Sequence, residues 1–271
     1  MRNIVGWLLA AILAGAAGAA APPAPSPATA PSGAAPAHHT YLAGDPAQLA
    51  AVLPPAPQQG DARYEEDRRV FQATRVLQGT PRWQMATDDA DLGTAAMLRH
   101  FSCSLDLELT PRQAPRLVGL LQEATSEAAR SMARAKDYYK RQRPFLIDAG
   151  PICVPKESVA NSFDYPSGHT TAGWAWALVL AQVDPPHALP LLVRGRAIGD
   201  SRVVCGVHNA SAVEGARLLT GAVIGVESAS PDYQADLAAA RAELAGLRAA
   251  AHAAPEPARC AAEAGLLGSY W

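Results

Sequence analysis

The sequence predicts an all-α fold, and three observations carry that expectation. Apolar residues recur at helical spacing in one segment after another. The period-two alternation of a half-buried strand is scarce throughout. Helix start and stop residues punctuate the chain at intervals that suit helices. No internal repeat and no clear boundary divides residues 40–250, so the expectation is a single compact helical domain.

Taken in order, residues 41–57 carry an apolar stretch and then Leu53-Pro54-Pro55-Ala56-Pro57, read as an extended entry segment. Residues 61–77 place Tyr64, Val70, Phe71, Val76 and Leu77 among many charges, an amphipathic helix stopped at Gly79-Thr80-Pro81. A second helical region spans 83–101 and breaks around 88–91. Thr110-Pro111 signals a helix start, delayed by Pro115, and Leu117, Leu120, Leu121, Ala124, Ala128 and Met132 continue it toward Lys136 and Tyr139. Pro144 forces Arg143 toward an extended conformation, so the helix must end before it. Residues 145–165 read as a loop. A helix then opens at His169 and passes through Trp174 and Trp176, more naturally core residues than stacking platforms. Asp184-Pro185-Pro186 starts the next helix, expected to stop at Gly199 and to leave 201–207 as an irregular crossover. His208 opens another, and an Ala-rich helix follows over 233–251.

Composition narrows the function. Hydrophobic residues make up 49% of the 271 and charged residues 18%, enough apolar material for a substantial core. A net charge of −2 advertises no field for nucleic acid, so any anion affinity must come from local Lys and Arg. Arg2, the apolar run 4–13 and the small residues 14–21 predict a signal peptide over 1–21 and a periplasmic or secreted bacterial protein with no stable membrane span. The Pro- and Ala-rich stretch 22–39 reads as a disordered lead-in, 40–252 as the domain and 253–271 as a C-terminal tail. Export favours disulfides among Cys103, Cys153, Cys205 and Cys260, whose long spacings and lack of a CxxC pair argue against zinc. Three connectivities are open. The preferred one is Cys103–Cys260, tethering the tail, with Cys153–Cys205, bracing the loop that carries Arg202. His38, His39, His187 and His252 are read as structural or surface residues, and His100 as a core or supporting one.

Three stretches carry the chemistry: Lys136 with Arg143-Pro144, Tyr165-Pro166-Ser167-Gly168-His169-Thr170, and Ser201-Arg202 with His208. Gly168 permits close backbone approach, and the amides of Ser167, Gly168 and His169 at a helix N-terminus attract an anion. Lys136, Arg143 and Arg202 offer positive charge to a phosphoryl group. Two histidines then suit nucleophilic attack on phosphorus and proton donation to a leaving alcohol.

These blocks resemble the signature of the PAP2 phosphatase and vanadium haloperoxidase superfamily, KX6RP, PSGH and SRX5HX3D. The wider similarity, to bacterial class A non-specific acid phosphatases, covers about residues 40–250, including Leu53-Pro54-Pro55, Gly173-Trp174-Ala175, the run 177–181 and the run 201–206. The resemblance implies an all-α domain of that type, and a metal-independent hydrolase of phosphate monoesters working through a phosphohistidine with no cofactor. It makes His208 the nucleophile and His169 the acid, with Lys136, Arg143, Ser167, Gly168 and Arg202 holding phosphate. Small-molecule phosphate monoesters are the expected partners, with inorganic phosphate or vanadate as inhibitors. A homo-oligomer is compatible with it, and nucleic acid is not expected. Alternatives on the same site are a vanadate-dependent haloperoxidase, a lipid phosphate phosphatase, or a low-activity phosphate-binding relic. The last is motivated by position 212, where the signature closes on Asp and this chain has Ala212. That Asp orients the nucleophilic imidazole. Ser211, Glu214, Asp164, a backbone carbonyl or water stand as substitutes.

Overall fold

The computed structural model describes residues 40–42, 46–250 and 253–268; the signal peptide and lead-in expected before residue 40 lie outside them. Among the described residues the regular structure is helical, with no strand. A short α1 (Pro46–Leu49) leads to α2 (Ala62–Thr74), α3 (Pro81–Asp88) and α4 (Thr94–Leu105). The long α5 (Pro115–Tyr139) is followed by α6 (Gly168–Val183), α7 (Ala188–Val204), α8 (Ala210–Glu227), α9 (Pro231–Ala249) and α10 (Pro257–Ala264).

Helix α6 is the centre of the bundle. It is apolar nearly all round, and α5, α7 and α8 pack on it. Phe101 of α4 stacks on Trp176 of α6 at 6.2 Å between ring centroids, inside a core that also takes Leu117, Leu121, Leu180, Leu191 and Ile198. The two tryptophans of α6 therefore do core work, as expected from the sequence: Trp176 is buried and Trp174 packs against the same cluster.

The boundary that moves most from the sequence reading is the end of α7. The helix expected to stop at Gly199 runs on to Val204, so Ser201 and Arg202 sit on α7 rather than in a crossover. Gly199 is small for contact, not for a turn: a Cβ there would lie 2.9 Å from Thr170 Cγ2 of α6, and one at Gly195 would lie 2.2 Å from Ala177 Cβ. The chain turns instead at Gly206, whose φ of +78° suits glycine. Upstream, the start of the long helix is delayed as Pro115 predicts. Thr110-Pro111 forms a turn, in which Thr110 bonds Gln113 Oε1 at 2.7 Å, and α5 begins only at Pro115.

Two disulfides close the molecule. Cys103 on α4 holds Cys260 on α10, a helix absent from the sequence reading of the tail, and Cys153 holds Cys205. The second joins the loop after α5 to the turn that ends α7, where the Cys153 amide also donates to the Cys205 carbonyl at 3.1 Å.

One buried acid stands outside any network described here. Glu227, at the end of α8, is fully buried, and neither carboxyl oxygen has a hydrogen-bond partner among the described residues. Burial first, then the charges of Glu127 and Glu123, push it up to about 9. The folded state thus keeps a proton that the unfolded chain releases above its ordinary value of 4.5. The stability this proton supplies is whole below that value and is lost as pH rises toward about 9. Glu227→Gln should leave the melting temperature unchanged near pH 4 and raise it by about 5 °C near pH 8. Equal melting curves at the higher pH would mean that Glu227 has a partner in solution.

Candidate functional site

The site is built where α5, α6, α7 and the start of α8 meet. Each of the three sequence stretches arrives for a local reason. α5 ends at Lys140 in a left-handed conformation, φ +47°, and the chain runs without regular structure to Arg143, which is extended before Pro144 opens a short 3-10 turn. The Tyr165–Pro166 peptide is cis, and Ser167 then caps α6, accepting from the Thr170 amide at 3.4 Å. α7 delivers Arg202, and the Gly206 turn returns the chain so that His208 precedes α8.

Arg75 fixes this return. Its guanidinium donates to the carbonyls of Val203 and Val204, each at 2.8 Å, and to that of Pro151 at 2.5 Å. It also lies over the Phe71 ring. A Cβ at Gly206 would stand 2.3 Å from Arg75 Nη1, so the turn must be glycine for space as well as for φ.

His208 is buried, and its ring is held at both nitrogens. Nδ1 lies 3.0 Å from Asp164 Oδ1, and Nε2 lies 3.1 Å from Arg143 Nη1. A guanidinium has only donors, so Nε2 must carry a lone pair. The proton of the neutral ring is therefore on Nδ1 and is donated to Asp164. Burial, then Arg143, Lys136, Arg202 and His169, hold the imidazole well below its ordinary value. The empty site thus favours the neutral ring, with an in-plane lone pair on Nε2.

Arg143 is anchored by donating to the carbonyls of Ser162 and Val207, both at 2.7 Å. Lys136 donates to the Phe163 carbonyl, and its ammonium is pushed down to about 8 by burial first and then by Arg143. Arg202 is the least satisfied cation: it reaches Ala86 O at a long 3.4 Å, and its buried Nε has no partner among the described residues. Such an unmatched buried donor suits an anion.

His169 Nε2 lies 3.2 Å from the Ala90 carbonyl, which can only accept, so Nε2 carries a proton and Nδ1 is the nitrogen left for chemistry. Burial, then Arg202, pull the ring down to about 3, with Arg143 and Lys136 adding to it. The same three cations depress both histidines, which puts the two rings in one electropositive field.

One part of the anion cradle differs from expectation. The Ser167 amide donates to the Ala212 carbonyl at 3.0 Å, so it is not offered to a ligand. The first-turn amides of Gly168 and His169 lack intrahelical acceptors and remain the helix contribution. Ser167 Oγ accepts from Thr170 Oγ1 at 2.9 Å, which leaves its own hydroxyl proton to give.

Of the substitutes weighed for the carboxylate missing at Ala212, geometry separates the three side chains. Asp164 contacts the ring. Ser211 turns to Asp67 and Arg141, and Glu214 pairs with Arg217 on the surface. Sequence reasoning missed Asp67 and Arg141 altogether. Arg141 had a signal, since in extended chain it points to the same side as Arg143. Asp67 had none, because it comes from α2, far along the chain.

A family model described as the PAP2 superfamily matches residues 117–235, which contain all three stretches. The chain is 38% identical to an acid phosphatase of Zymomonas mobilis over 74% of its own length and 76% of that protein's. It is 34% identical to non-specific acid phosphatases of Providencia stuartii (73% and 81%) and Salmonella typhimurium (71% and 78%).

Proposed function

From the premise that this chain belongs to the PAP2 superfamily, we propose that it is an exported, metal-independent acid phosphatase that hydrolyses phosphate monoesters through a phosphohistidine. The observation that carries the reading is the fixed tautomer of His208: a neutral ring whose Nε2 lone pair faces a cluster of cations. An imidazole in water loses that lone pair to protonation below its ordinary value of 6.5. Here burial and the surrounding cations disfavour that protonation, which suits an enzyme working in acid.

Arg143, Arg202 and Lys136 hold the phosphoryl oxygens, with the Gly168 and His169 amides and the Ser167 hydroxyl completing the cradle. His208 Nε2 attacks phosphorus while the ester P–O bond breaks, and the Nδ1 proton strengthens its bond to Asp164 as positive charge grows on the ring. His169, protonated on Nδ1 once a phosphate dianion offsets the surrounding cations, gives that proton to the leaving oxygen. Water then attacks the phosphohistidine, His169 Nδ1 takes its proton, and the N–P bond breaks to restore Nε2.

The test is release of phosphate from an aryl phosphate at about pH 5. Turnover should persist in excess EDTA and be inhibited by vanadate. Activity abolished by chelation, or peroxide-dependent halide oxidation by the vanadate-loaded protein without phosphatase activity, would overturn the assignment.

A further inference from the structure

The contacts around Asp164 reach beyond a single hydrogen bond. Its carboxylate is fully buried and meets donors on both oxygens. Oδ1 accepts from His208 Nδ1 at 3.0 Å and from the Asn209 amide at 3.1 Å. Oδ2 accepts from Asn209 Nδ2 at 2.8 Å and faces Arg141 Nη1 at 3.4 Å. The Asp164 amide in turn donates to the Arg141 carbonyl at 2.8 Å, tying the two backbones together.

Asn209 is the N-cap residue of α8, a position where asparagine ordinarily turns its side chain onto the first-turn amides. Here it makes no such cap. Asp67 of α2 does that work, accepting from the Ser211 amide at 2.9 Å and from Arg141 Nη2 at 2.8 Å. With the cap supplied from another helix, the Asn209 side chain is released to hold Asp164. Ala212, one turn beyond His208, offers a carbonyl to Ser167 and has no side chain that reaches the ring.

We propose that Asp164 is the positioning carboxylate of this site, and that Asn209 and Arg141 hold it aimed at His208 Nδ1. The orienting group thus stands on the irregular segment that leads into Tyr165–Pro166 rather than on the helix that follows the nucleophile. Asp164 touches no substrate. It acts through His208 by fixing the Nδ1–H tautomer and balancing the charge that the ring gains on attack. This inference rests on the assignment of His208 as nucleophile.

The experiment begins with the full-length protein and a labelled aryl phosphate, quenched in alkali so that a phosphohistidine survives. If the parent forms no phosphoenzyme, the histidine assignment itself fails. If it does, Asp164→Asn decides the present proposal. The expected result is a kcat lower by roughly 10²- to 10⁴-fold, the range seen when an orienting carboxylate is neutralised, while vanadate affinity stays within about threefold of the parent, because the anion cradle is intact. The Asp164→Asn, Ala212→Asp double variant, which returns a carboxylate to the ring from the other side, should regain at least about tenfold. A folded Asp164→Asn protein that keeps the parent kcat overturns the proposal. Should that variant not fold, Asn209→Ala supplies the second reading. Losing a donor makes Asp164 easier to protonate, so the acid limb of kcat should move up by about one pH unit. An unmoved limb overturns the proposal just as firmly.

Discussion

Replacing His208 with alanine is expected to lower kcat by about 10⁵-fold or more, because it removes the attacking atom rather than tuning it. The size follows from the geometry. Nε2 is the lone pair that Arg143 faces directly and that Asp164 keeps free by holding the ring proton on Nδ1. Loss should appear equally in kcat and kcat/KM, and the alkaline-quenched phosphoenzyme should vanish. Binding of vanadate should weaken by much less, since Arg143, Arg202 and Lys136 remain. His208 also accepts from Arg143 at 3.1 Å, so the variant leaves that donor pointing into an emptied space. Water can fill such a polar gap, and the melting temperature should change by only a few degrees, about one to two kcal/mol of stability. A labelled phosphoenzyme that survives in His208→Ala would move the nucleophile elsewhere.

His169→Asn gives the second large effect, and its size should depend on the ester. General acid catalysis contributes about 10²- to 10⁴-fold where the leaving oxygen needs a proton. An alkyl phosphate should therefore lose close to the upper figure, and a nitroaryl phosphate, whose leaving oxygen departs readily as an anion, should lose about tenfold or less. Equal losses on both esters would assign His169 to positioning rather than proton transfer. The pH behaviour has a definite sign. In the empty site burial and Arg202 keep His169 at about 3, so it is neutral at pH 5. A phosphate dianion between the cations raises it; free phosphate is mainly the monoanion at that pH and releases a proton on binding as the dianion, and uptake by His169 offsets that release. Calorimetry of phosphate binding in buffers of different ionisation enthalpy reads the net number directly. His169→Asn should shift it toward release.

Much of this architecture could be read before any coordinates, for a physical reason. The helices announce themselves by local periodicity. The three chemical stretches carry residue types that few other roles require together, and both preferred disulfide pairs form. What stayed hidden depends on contact between distant segments. Gly199 has the local character of a helix stop, yet it continues α7 because Thr170 of α6 needs the space of its missing side chain. The Ser167 amide looked available because Ala212 O, its acceptor, lies on another helix. Asp164 could be named only as one of several substitutes, since the choice depended on which side chain folds back onto Nδ1. Asp67 left no trace at all, because a carboxylate amid the charges of an amphipathic helix looks like any solvated residue.

The cap that Asp67 places on α8 has a temporal meaning. The two residues it joins are 144 positions apart, and the bond between Asp164 and His208 spans 44 within that stretch. Contacts of such range close late, after the loops between them have been ordered. In refolding, phosphatase activity should therefore return after the helical circular dichroism signal.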